Sequence, residues 1–107
     1  MKKIVMIDFD DTASLNIPMF TGIWDLLNIS GFQPMICTSR SKDDPTNHEI
    51  TDNFDSNLVI FCEGFQKLDF IREWTTIKSE DIAFWIDNDA LSIPEINDVR
   101  DLADTEL

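Results

Sequence analysis

Four short apolar runs divide this chain: Ile4-Val5-Met6-Ile7, Pro34-Met35-Ile36-Cys37, Leu58 to Cys62 and Ile82 to Ile86. They are continuous rather than alternating and rich in β-branched residues, the pattern of strands covered on both faces. The segments between them read as helices. Pro18 stands near a helix start, and Phe20, Ile23, Trp24 and Leu27 have helical spacing before Gly31 ends the run. Phe65 to Trp74 sets Leu68, Ile71 and Trp74 on one face, with Lys67 in the first turn. His48 to Phe54 reads as a short helix inside the polar stretch 41–57, and Ile93 to Leu102 places Ile96, Val99 and Leu102 on one face. Trp24, Trp74 and Trp85 are expected in helix–sheet packing rather than as a platform for stacked bases. Strand–helix repetition of this kind predicts a three-layer, Rossmann-like α/β domain. Its short parallel sheet has about four strands, joined by right-handed crossovers.

The chain has 107 residues, which suits a single domain over 1–107 with one core. Its formal net charge of -13 opposes broad attraction to nucleic acid or to an anionic membrane. The acids read as a solvated surface with a few gathered at a cation site; the rarer reading is an acidic decoy that imitates nucleic acid. No run is long and apolar enough to cross a bilayer. The run after Lys2 and Lys3 is too short for a signal peptide, so the cytoplasm is the expected location. Cys37 and Cys62 are expected as reduced core thiols, with a disulfide or a metal pair as the minor reading.

Open α/β sheets bind ligands at the carboxyl ends of their strands, where strand order reverses. In this chain the strand ends carry Asp8, Asp10 and Thr12, then Thr38, Ser39 and Arg40, then Asp87 and Asp89, with Lys67 opening the helix before the last strand. Acids from two strands meeting at one edge repel each other unless a cation joins them. Hard oxygen donors with few His or Cys point to Mg2+. Taken singly, Asp10-Asp11-Thr12 is a strand-end turn, Thr38 a cap, Lys67 a solvated lysine, and Asp87 and Asp89 turn acids. Their agreement in order favours a site. His48, the lone histidine, is expected on an exposed helix face.

These residues resemble the haloacid dehalogenase-like (HAD) phosphohydrolases. The family's D-x-D-x-T after an apolar strand is read here as IVMIDFDDT, and its strand ending in Ser or Thr as PMICT. Its helix-opening Lys appears in KLDFIREW, and its acid-terminated strand in AFWIDND. The four motifs cover most of the chain. PMICTSRSKDDPT is also similar to the second-motif segment of the 3'-phosphatase domain of phage-type polynucleotide kinase/phosphatases. Two departures stand out. Asp87-Asn88-Asp89 replaces adjacent acids, and the segments after the first two motifs are too short for a cap domain. An uncapped site suits a large substrate or a lid from a partner subunit, so a homodimer is one option.

The resemblance implies a Mg2+-dependent phosphatase acting on a phosphate monoester, either a phosphorylated small molecule or a nucleic-acid end, with no membrane partner. Asp8 would attack phosphorus, and Asp10 would protonate the leaving oxygen and then deprotonate water. Lys67 would balance charge, and Thr12, Thr38, Ser39 and Arg40 would face the phosphate or substrate. Asp8, Asp10 through its carbonyl, Asp87 and Asp89 would hold the metal. A receiver domain fails on position, because the third strand ends in Cys62-Glu63 and no Lys follows Lys78. A paired-acid nuclease leaves Thr38 and Lys67 unexplained. The alternative from another class is a silent HAD-like acidic binding or inhibitor protein.

Overall fold

The structure, a computed structural model, describes residues 2–105, with side chains as far as residue 100. Its elements run β1 (Ile4–Ile7), α1 (Ile17–Ile29), β2 (Gln33–Thr38), α2 (His48–Thr51), β3 (Val59–Phe61), α3 (Lys67–Trp74), β4 (Ile82–Ile86) and α4 (Ile96–Thr105). The strands form one parallel sheet in the order β3-β2-β1-β4. Succession therefore steps outward from β1 to β3 and then returns to the far side of β1. Crossovers of one hand that step in opposite directions run over opposite faces. Accordingly α1 and α2 cover one face and α3 the other.

Alternate residues of β1 feed the two faces, as strand geometry requires. Val5 and Ile7 join Ile36, Phe20, Trp24, Ile50 and Phe54 on one side, while Ile4 and Met6 join Met35, Cys37, Ile60 and Ile71 on the other. All four β1 residues are buried, which accounts for the continuous apolar run. The ends of α1 follow from local chemistry. The Asn16 side chain accepts from the Met19 N–H at 3.1 Å, and Pro18 sits in the first turn, where its missing N–H is no loss. Gly31, at φ +90°, lets the Phe32 N–H turn back to the Leu27 carbonyl at 3.0 Å.

Several expectations need correction. The third helix begins at Lys67, not Phe65, because Glu63 (φ +56°) and Gly64 (φ +80°) form a left-handed turn after β3. Its buried stripe is Lys67 and Ile71 rather than Leu68, Ile71 and Trp74. Trp74 is 60% exposed and stacks on Phe70, 5.0 Å between ring centres; Trp24 and Trp85 do pack against the sheet. β4 is an edge strand, so Ala83 and Phe84 are exposed despite the apolar run. In the polar stretch only His48–Thr51 is α-helical, and His48 is exposed as expected. The last helix starts at Ile96, beyond Pro94; Ile96 is exposed and Val99 half-buried, and Leu102 lies outside the residues whose side chains are described.

Cys37 and Cys62 are buried free thiols with their sulfurs 3.5 Å apart. The Cys62 hydrogen bond and burial push the Cys37 thiol well up, which keeps it protonated. Among the described residues, no helix is long and apolar enough to cross a membrane.

Candidate functional site at the β1–β4 edge

The reversal of strand order places the carboxyl ends of β1 and β4 side by side. The Asp8 N–H donates to the Ile86 carbonyl at 2.9 Å, which extends the ladder one residue and fixes where the Asp8 side chain leaves the sheet. Lys67, 1% exposed at the start of α3, reaches beneath this edge. Its Nζ donates to Asp8 Oδ1 at 3.0 Å and to Asp87 Oδ2 at 2.5 Å. The three side chains are nearly closed to solvent, with exposures of 2% for Lys67, 8% for Asp8 and 1% for Asp87.

One ammonium between two carboxylates leaves a surplus negative charge in a poorly hydrated place. Burial raises the Asp8 pKa, and the hydrogen bond and charge of Lys67 do not fully offset it. Burial also works against the charge on Lys67. Hydrogen bonds and attraction from Asp87 and Asp8 outweigh that effect and hold its pKa above the ordinary lysine value. The lysine is therefore charged at neutral pH.

Thr12 and Asn88 complete the support of Asp8. Thr12 Oγ1 donates to Asp8 Oδ2 at 3.3 Å and accepts from the Asn88 backbone N–H at 3.2 Å, pinning the turns after β1 and β4 together. The Asn88 amide, with its nitrogen turned to the acceptors around it, donates to Asp8 Oδ2 at 2.9 Å and to the Asp10 carbonyl at 3.3 Å. Asp11 adopts φ +57°, a conformation that Asp tolerates better than most residues, and it completes the turn.

The expected site residues do not all converge. The Asp10 carboxylate is gripped by Arg40 through Nε at 3.0 Å and a terminal nitrogen at 2.8 Å. Arg40 also donates to the Thr46 carbonyl and hydroxyl and to Glu49 Oε2 at 3.1 Å, and it lies over the Phe9 ring. It is engaged in organising the loop after β2 rather than free to meet a substrate. Thr38 is fully buried, and its hydroxyl accepts from the Arg40 backbone N–H at 3.2 Å. Exposed Ser39, not Thr38, borders the open cavity of about 200 Å3 above Asp8, Asp10, Lys67, Asp87 and Asp89.

The four acids expected as metal ligands all border this cavity without closing into one chelating group. Among the described residues, no three His, Cys, Asp or Glu gather as a metal-holding group. Both Asp87 oxygens are occupied, one by Lys67 and the other by the Asp89 N–H at 2.9 Å, and Asp89 itself is exposed. The oxygens that do converge are Asp8 Oδ2 and the Asp10 carbonyl, both within reach of the Asn88 side chain. This is a hard-oxygen set beside surplus negative charge, and its chemistry fits Mg2+. Asn88 is the residue that sequence reasoning left out. Its signal was an amide between two acids at a strand end.

A scan against protein-family models, a search of curated proteins and a search of solved structures found no match to this chain.

Proposed function

We propose that this protein is a HAD-like, Mg2+-dependent phosphatase that hydrolyses a phosphate monoester through an aspartyl-phosphate intermediate. The observation that carries this reading is the buried Lys67 ammonium between Asp8 and Asp87 at the point where strand order reverses. Asp8 Oδ would attack phosphorus as the P–O bond to the leaving group breaks. The leaving oxygen would take a proton from Asp10, which lines the same cavity and would turn away from Arg40 to deliver it. Water would then attack the acyl phosphate, giving its proton back to Asp10 and releasing inorganic phosphate and a free Asp8. Lys67 balances charge on the nucleophile and the transferring group, and Ser39 at the cavity wall supplies a donor to the phosphoryl oxygens. Asp8, the Asp10 carbonyl and Asn88, its amide rotated to present oxygen in place of nitrogen, are the groups that would hold Mg2+, which supplies neutralisation of the phosphate dianion when bound.

The test is Mg2+-dependent release of phosphate from a generic aryl phosphate, with Asp8→Asn as control. Wild-type turnover that Asp8→Asn abolishes supports the reading. Full activity in Asp8→Asn removes the nucleophile assignment. A second reading draws on Asn88 in place of a second adjacent acid and on the net charge of -13: a silent acidic binding protein built on the same frame. It requires an intact fold with neither turnover nor Mg2+ binding.

A further inference from the structure

A second groove of about 330 Å3 adjoins the phosphate cavity and shares Asp11, Asp87 and Asn88 with it. Its surface is almost wholly apolar, floored by Phe20 and Ile86 and walled by Leu15 and Met19. Leu15 is 74% exposed and Met19 52% exposed, an unusual outlay of apolar surface at the mouth of a polar site. The two cavities meet where the Asp11 turn faces the end of β4, so a molecule with its phosphate over Asp8 has its remaining atoms directed to this groove or to solvent.

Charge narrows the choice. Lys67 is the sole cation bordering either cavity among the described residues, and it is committed to Asp8 and Asp87. Arg40, the next cation in the surrounding loops, borders neither cavity and stays tied to Glu49 and Thr46 when Asp10 turns away. Asp10, Asp11 and Asp89 add negative charge to the rim, whose other members, Ser39, Asn88 and Ser92, are neutral. A leaving group carrying further phosphates, or a nucleic-acid strand, would bring uncompensated negative charge against these acids. An uncharged apolar leaving group meets no such opposition and covers Leu15 and Met19.

Resting on the phosphatase reading, we infer that the substrate is a phosphate monoester of an uncharged, apolar alcohol or phenol, whose organic part lies in the groove between Leu15, Met19, Phe20 and Ile86. The experiment compares kcat/KM for 4-nitrophenyl phosphate, glucose 6-phosphate and a 3'-phosphorylated oligonucleotide in wild type and in the double variant Leu15→Gln, Met19→Gln. Calorimetry of benzylphosphonate and inorganic phosphate runs beside it. The expected result is preference for the aryl ester by on the order of a hundredfold, with the aryl-to-sugar ratio falling about tenfold in the double variant. Benzylphosphonate should bind more tightly than inorganic phosphate, and the double variant should narrow that gap. Preference for the oligonucleotide, or an aryl-to-sugar ratio that the double variant leaves unchanged, overturns the inference while leaving the phosphatase intact. Absence of turnover, with benzylphosphonate still binding through the groove, removes the phosphatase and keeps the groove's specificity. Absence of both turnover and binding removes both.

Discussion

The Lys67 ammonium lies 2.5 Å from Asp87 Oδ2, tying the first residue of α3 to the end of β4 through a contact almost closed to solvent. The same nitrogen reaches Asp8. Removing it leaves two buried carboxylates facing each other with no positive partner. Lys67→Met should therefore cost about 3–5 kcal/mol of stability, the range for breaking a buried pair from one side. Urea denaturation reads this directly as a lower midpoint at unchanged slope. A loss under about 1 kcal/mol would mean that the carboxylates hydrate easily and the triad is not a closed unit.

Asp8 should behave in the opposite way. Its carboxylate is the surplus charge, and Asp8→Asn leaves one acid against one base. The variant should gain on the order of 1 kcal/mol in stability while losing phosphatase activity, the pattern of a site whose chemistry costs stability. Thermal unfolding of both proteins in EDTA checks the first half and phosphate release the second. A lower melting temperature for Asp8→Asn would contradict the electrostatic account.

The pH dependence of that gain has a definite sign. Folding raises the Asp8 pKa above 3.8. Below the unfolded value Asp8 is protonated in both states and costs nothing; above its folded value the full cost of its charge is present. The gap between Asp8→Asn and wild type in EDTA should thus be small near pH 3 and widen to a plateau toward neutrality. Lys67 has a folded pKa above 10.5, so its contribution is whole below that pH and fades as pH rises through the folded value. A gap that is constant from pH 3 to 7 rules out a raised Asp8 pKa.

The parts that could be read in the sequence were those set by local pattern. β1 and β4 fall where their apolar runs predict, and the Pro18 and Gly31 signals bound α1, with the Asn16 cap emerging only from the structure. The strand order was not legible, but the rule that sites form at carboxyl edges sufficed to bring Asp8, Lys67 and Asp87 together. What escaped depends on irregular backbone or on distant pairing. Which of Asp87, Asn88 and Asp89 faces β1 is decided by the path of the chain after β4, where no period applies, and the acids drew attention from the amide. Arg40 meets Asp10 across thirty positions of sequence, a pairing no spacing predicts. Trp74 misled because apolar character was read as burial: its spacing puts it on the face of buried Lys67 and Ile71, but it is the last residue of α3 and stands clear of the sheet.

Asn88 offers a neutral amide where a carboxylate would give the cation another charge. Asn88→Asp should tighten Mg2+ binding by about tenfold, since affinity of oxygen sites rises with ligand charge. In EDTA the same variant should melt lower than wild type, because a third acid joins Asp8 and Asp87. Asn88→Leu should weaken Mg2+ binding. Calorimetric titration with Mg2+ separates these outcomes. Equal affinity in all three proteins would place the cation away from Asn88.

Arg40 joins Asp10, Thr46 and Glu49 with a planar fork that a lysine cannot reproduce. Its ionisation is held well above its ordinary value, with the Asp10 hydrogen bond as the largest cause, so the arginine itself stays charged at every working pH. Arg40→Lys should cost about 1 kcal/mol, because Asp10 and Glu49 are each about half exposed and solvent shares the pairing. The larger effect should be local. α2 is four residues long and cannot hold its own shape, so Arg40 and buried Ile50 are what fix it to the sheet. Hydrogen exchange at the Ile50 and Thr51 amides should accelerate in Arg40→Lys by far more than exchange within α1. Uniform acceleration across both helices would show that the arginine acts only through global stability.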